Sequence, residues 1–92
     1  MAYSISDLRN RVRARHYVVT QHAADELEDD NLTIHDLENI VLSGQIVDRQ
    51  RDRETQEIKY IVRGRACDGR VAEAVGKIAS WSALVFITAY VV

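Results

Sequence analysis

Proline is absent from this chain, and no low-complexity stretch interrupts it. Nothing therefore reads as a linker, and 92 residues suit one domain, 1–92. Cysteine occurs once, at Cys67, which excludes an internal disulfide framework and suits a reducing cytoplasm. The four glycines are scattered, so there is no glycine-rich phosphate loop, and neither a nucleophile elbow nor a pair of catalytic carboxylates is found. The longest apolar run, "ALVFITAYVV" at 83–92, is about half the length a membrane-spanning helix needs. The start, "MAYSISDLRN", lacks a basic segment followed by an apolar one, so no signal peptide is expected. His16, His22, His35 and Cys67 show no ligand spacing, and neither a metal site nor a cofactor is expected.

What is present is an ordinary globular mixture, 47% hydrophobic and 28% charged. So short a chain buries only about 60–65% of its unfolded surface, and its core must be thin. A net charge of −2 argues against a dedicated nucleic-acid binder, yet charge is unevenly placed. Residues 25–38 carry seven acids and no Lys or Arg, and ten of the twelve cations are arginine. The planar guanidinium pairs with phosphate or carboxylate at two points, where lysine acts as a point charge.

Periodicity divides the chain. In "SISDLRNRVRARH", Ser4 with Asp7 forms a capping-box-like pair, and Ile5, Leu8 and Val12 give a helical apolar stripe over 4–15. "YVVT" at 17–20 reads as a short strand whose Thr20 caps a helix burying Ala23, Ala24 and Leu27. Thr33 caps a third helix with Ile34, Leu37, Ile40 and Val41 on its apolar face, and Gly44 ends it in a left-handed conformation. Strands are predicted at about 46–51, 57–64, 71–79 and 84–91, with a tight turn at Asp68-Gly69. The last is apolar on both faces, with Phe86, Thr88 and Tyr90 sharing one, so it belongs in the middle of the sheet, covered on both sides. The expected fold is α+β: two to three N-terminal helices packed on a four- to five-stranded, mainly antiparallel, twisted sheet.

Few residues suggest chemistry. His22 occupies the second position of its helix, near free backbone N–H groups and the positive dipole end, a place suited to an anion. The same position equally suits an exposed histidine paired with Glu26 one turn later. Arg49, Arg51 and Arg53 alternate on one strand face, as do Lys59, Arg63 and Arg65 on the next. These cations either gather to hold phosphate or form a solvated, salt-bridged face, depending on register. Tyr60, with Ile58 and Val62, reads as a core ring, as does Tyr90.

"VVTQHAADELEDDNLTIHDLENIVLSGQIVD", then "IKYIVRGR" and the closing "LVFITAYV", resembles the small bacterial domain-of-unknown-function family 4258. The matching elements are Thr20-Gln21-His22-Ala23, the helix to Gly44, Tyr60 and Gly64, and Thr88-Ala89-Tyr90. The resemblance covers roughly 17–92 and leaves the first helix outside. Leu27 and the acidic "EDD" stand where many members carry Met and Arg. Such domains look similar in layout to toxins of the RelE/ParE and BrnT type. That implies a cytoplasmic, toxin-like, metal-independent ribonuclease acting on RNA, with a small zinc-finger antitoxin as partner. In that reading His22 is general acid or base, Tyr90 a positioning group in the catalytic site, and Arg63, Arg65 and Lys59 hold phosphate. Thr20, Tyr60 and Thr88 are further candidates. The alternatives are a non-catalytic protein-binding module, using a sheet edge or the acidic helix, and a degenerate toxin that only binds its antitoxin.

Overall fold

Three side-chain caps start the three helices. The computed structural model describes residues 2–92. Helix α1 runs Ile5–Arg13, α2 Gln21–Asp29 and α3 Ile34–Ser43. Ser4 and Thr33 each accept the N–H three residues on, and Asp7 and Asp36 reach back to close full capping boxes. Thr20 accepts the Ala23 N–H at 3.1 Å. Between and after them lie β1 (Tyr17–Val19), β2 (Gln45–Arg51), β3 (Ile58–Arg65), β4 (Val71–Ile78) and β5 (Leu84–Val91).

The five strands form one open sheet in the order β1-β5-β4-β3-β2, so β5 is interior as expected. It is not covered on both sides, however: Leu84, Phe86 and Ala89 are buried under the helices, while Val85, Thr88 and Tyr90 on its other face are only half-buried. All pairings are antiparallel except β1 with β5, which is parallel. The chain is thus α+β, with the helices on one face. Leu8, Val12, Ala23, Leu27, Leu37, Ile40 and Val41 pack there on Tyr60, Val62, Ala74, Leu84, Phe86 and Ala89. No helix among the described residues is long and apolar enough to cross a membrane.

Gly44 closes α3 for a reason other than the expected one. Its backbone is extended (φ −98°, ψ −177°), not left-handed. A Cβ there would sit 2.4 Å from the Ile40 carbonyl oxygen, and one on Gly64 would sit 2.0 Å from the same atom. The two glycines let the end of α3 lie directly on β3. Gly69, by contrast, is left-handed (φ +91°) in the β3–β4 turn, as read from Asp68-Gly69.

Three expectations need correction. Ile34 is 40% exposed and lies off the apolar face; Asp36 is buried instead. Arg53 falls beyond β2, in the loop before β3. Phe86 does not share a face with Thr88 and Tyr90, because Ile87 is an extra residue in β5: Val75 pairs with Thr88 while Gly76 pairs with Phe86. That bulge resets the alternation, so Phe86 enters the helix-covered core while Thr88 and Tyr90 point to the opposite face.

Candidate functional site

Strand pairing decides which charges meet. Residues directly opposite in a sheet project to the same face. Arg49 pairs with Tyr60 and Arg51 with Ile58, on the helix side, whereas Lys59, Ile61 and Arg63 face away from the helices. A second bulge, at Val47, sets this register. The two alternating cation sets of β2 and β3 are therefore divided between opposite faces. Arg49 lies over the Tyr60 ring, 5.8 Å from its centroid.

On the uncovered face, β3, β4 and β5 bring Arg63, Glu73 and Tyr90 into one row, since Glu73 is opposite both Arg63 and Tyr90. Glu73 is only 8% exposed. Its Oε2 takes Arg63 Nη2 at 2.6 Å and Nε at 2.8 Å. The Tyr90 hydroxyl donates to Oε1 at 2.7 Å. The Tyr90 hydrogen bond, aided by Arg63 and opposed by burial, holds the Glu73 carboxyl below its ordinary pKa. The same bond, with burial, raises the Tyr90 phenol. The row lines a concavity of about 460 Å³ whose other walls are Val47, Asp48, Gln50 and Ile61. At neutral pH it presents an anion with both oxygens engaged, a neutral phenol, and a guanidinium with half its surface in solvent.

The remaining candidates lie apart from this row or at its margin. Lys59 is opposite Gln50, near Asp52, and lines a separate hollow with both. Arg65 is exposed on the same face and donates to the Gly69 carbonyl at 2.9 Å. Thr88 is part-buried opposite Val75. Tyr60 is 1% exposed, a core ring as read, and its hydroxyl accepts the Tyr3 N–H at 2.8 Å. His22 lines none of the concavity. Its side chain is 67% exposed on α2, and Nε2 lies 3.5 Å from Glu26 Oε1. Thr20, beside it, caps α2 and donates to the Ile87 carbonyl at 3.3 Å.

Glu73 is the residue that sequence reasoning missed. Its signal was a single carboxylate in "VAEAVGKI", a strand otherwise small and apolar in its first half. A charge there has to be paired, and the arginine ten residues earlier is the partner a five-residue connection (66–70) provides. Among the described residues no group of three or more His, Cys, Asp or Glu side chains is placed to hold a metal ion.

A family model matches residues 19–91, the segment running from Val19 through the histidine helix and the Arg63–Glu73–Tyr90 row. The chain belongs to the family described as Domain of unknown function (DUF4258). No curated protein and no solved structure matches it.

Proposed function

We propose that this member of the family is a toxin-like, metal-independent ribonuclease, and that its chemistry is centred on Arg63, Glu73 and Tyr90. The reading is carried by one observation: a nearly buried carboxylate, held by an arginine and a tyrosine, opens into a concavity on the sheet face no helix covers. Cleavage of this kind needs a base for the ribose 2′-hydroxyl and a cation for the charge that builds on the phosphate. Glu73 is the base, ionised at neutral pH. Arg63 turns its exposed edge to the phosphate, and Tyr90 fixes the carboxylate. Lys59 and Arg65, on the same face, add phosphate contacts along β3. The layout likeness to RelE/ParE-type toxins, and with it an antitoxin partner and a cytoplasmic setting, belongs to this reading.

The experiment is cleavage of RNA by purified protein in EDTA. Glu73→Gln is expected to lower the rate by about 10²–10⁴ with the fold intact, and Arg63→Ala to weaken RNA binding. Wild-type protein inert towards RNA in that assay would sink the enzyme reading.

The non-catalytic alternative has its own support. The uncovered face also carries Val18, 42% exposed, opposite Val85 on β5, and Val47 is 48% exposed. The two valines lie on the opposite edge strands, β1 and β2, with the charged row between them, and an exposed sheet edge suits a protein partner that adds a strand. Stable binding of a partner protein with no RNA cleavage would favour it.

A further inference from the structure

The only tryptophan of the chain, Trp81, is 59% exposed. It stands in the tight turn between β4 and β5, which is closed by backbone hydrogen bonds. Ala79 N–H donates to the Ala83 carbonyl at 2.9 Å and Ser82 N–H to the Ala79 carbonyl at 2.8 Å. The turn is also strapped to the end of α1. Arg11 Nε donates to the Ser82 carbonyl at 2.7 Å and Nη2 to Ser82 Oγ at 3.1 Å. Leu84 N–H donates to the His16 carbonyl at 3.2 Å. The His16 and Trp81 rings lie 6.3 Å apart, tilted by 59°. A large aromatic surface thus stands in solvent on a turn tied to the end of α1, a segment far more basic than the whole chain.

"RNRVRARH", residues 9–16, holds four arginines and a histidine and no acid. Two of these arginines serve the fold. Arg9 donates to the Gly44 carbonyl at 2.8 Å, and Arg11 braces the turn. Arg13 and Arg15 are exposed, and among the described residues neither has a carboxylate within ion-pair distance. Basic residues at a helix C-terminus ordinarily complement its dipole, but that dipole amounts to only about half a negative charge. Arg11 alone exceeds it, so Arg13 and Arg15 are left as excess positive charge at the end of α1 that is strapped to the turn. Arg13 Nη1 donates to Asn10 Oδ1 at 3.4 Å, and Arg15 is next in sequence to the His16 whose ring neighbours Trp81.

We propose that this end of the molecule is a binding site for single-stranded RNA, with Trp81 stacking one base and Arg13 and Arg15 holding neighbouring phosphates. A stacking ring next to unpaired cations is the combination by which proteins hold single strands without reading their sequence. A lipid surface would also attract cations and a tryptophan. The flanking turn residues, however, are Ser80 and Ser82, so a single ring would enter the bilayer, whereas a single ring is all one base requires. The site is separate from the concavity bounded by Arg63, Glu73 and Tyr90. It rests on the reading of RNA as ligand and not on cleavage.

The test uses Glu73→Gln protein in EDTA, so that binding is read without turnover. Titration with a short oligouridylate is expected to quench the fluorescence of Trp81, which is the sole reporter of its kind in the chain. With labelled oligouridylate, Trp81→Ala is expected to weaken binding by roughly 5- to 150-fold and Trp81→Phe by less. The double change Arg13→Gln/Arg15→Gln is expected to flatten the dependence of log K on log salt by about 1.4. This pair provides a second readout should Trp81→Ala fold poorly. Absence of quenching, or unchanged affinity and salt slope in these variants, overturns the site. So does a blue shift on phosphatidylserine vesicles with no response to RNA. Loss of quenching while wild-type cleavage persists refutes this site alone, whereas quenching without cleavage refutes the catalytic reading alone.

Discussion

Arg63 and Glu73 meet across the β3–β4 hairpin, with Nη2 2.6 Å from Oε2, and the half-exposed arginine lies against a glutamate whose side chain is 10% exposed. The asymmetry decides what each mutation does. Removing Arg63 leaves a buried carboxylate supported by Tyr90 alone, while removing the charge of Glu73 leaves an arginine that water can solvate. Arg63→Ala is therefore expected to destabilise by about 1–2 kcal/mol. That is less than the ~3–5 kcal/mol for breaking a fully buried pair, because Arg63 is half in solvent. Glu73→Gln is expected to cost less. Urea denaturation of both variants measures the difference, and a Glu73→Gln protein much less stable than Arg63→Ala would contradict it.

Tyr90 provides a pH test of the same row. Glu73 is held below its ordinary pKa chiefly by the Tyr90 hydroxyl. The acid limb of RNA cleavage should therefore fall below the usual glutamate range, since the base stays ionised as pH drops. Tyr90→Phe removes the largest lowering influence and should move that limb upward in pH while the pH-independent rate changes less. An acid limb that does not move in Tyr90→Phe would separate Glu73 from the catalysed step.

Asp36 predicts an acid-sensitive fold. Its carboxylate accepts the Thr33 N–H, the Thr33 hydroxyl and, across to the β3–β4 turn, the Cys67 N–H at 2.8 Å. Those bonds lower its pKa from 3.8 to about 2. A carboxyl depressed in the folded state stabilises the protein above its unfolded pKa and loses that contribution as pH falls through the folded value. The loss therefore runs from near pH 4 down to about pH 2, and amounts to roughly 2 kcal/mol. Asp36→Asn should be less stable at pH 7 and should flatten the acid decline over that window. Parallel decline of both proteins in urea titrations from pH 7 to 2 would show that Asp36 is not the group involved.

Gly64 and Gly69 should respond to alanine by different mechanisms. At Gly64 the new methyl would meet the Ile40 carbonyl at 2.0 Å, so α3 has to move off β3. The expected loss is at least about 2 kcal/mol. At Gly69 nothing lies within 4 Å, and the only penalty is the left-handed backbone at φ +91°, about 1–2 kcal/mol. Thermal melts that rank Gly69→Ala as the more damaging change would contradict the close approach of α3 and β3.

The elements were legible because their signals are local. Ser4, Thr20 and Thr33 announce helix starts through bonds made within three residues, and the switch to alternating apolar residues after Gly44 announces the sheet. Facing is not local. One extra residue at Ile87 turns Tyr90 from the core to the open face, and another at Val47 turns Arg49 and Arg51 of β2 away from the face that carries the β3 cations. Neither bulge leaves a mark in the residues around it, since each is defined by the partner strand. The site suffered most from this. Arg63 and Tyr90 stood out as single residues, but only strand register joins them to Glu73, and only the parallel pairing of β1 with β5 places α2 and its histidine.

His22 and Thr20, two residues apart, separate catalysis from capping. The His22 side chain is 67% exposed and 3.5 Å from Glu26, an i, i+4 pair that contributes about 0.2–0.5 kcal/mol. Thr20 accepts the Ala23 N–H at 3.1 Å and donates to the Ile87 carbonyl at 3.3 Å. Thr20→Ala should therefore lower stability by about 0.5–2 kcal/mol and disturb the bulge that aims Tyr90. His22→Ala should leave the melting curve within about 0.5 kcal/mol of wild type. With the chemistry at Glu73, RNA cleavage by His22→Ala should also be unchanged, because no wall of the Glu73 concavity includes it. A fall in cleavage of about 10²–10⁴ with an unaltered melt would instead return the proton transfer to α2 and reduce Glu73 to the group that holds Arg63.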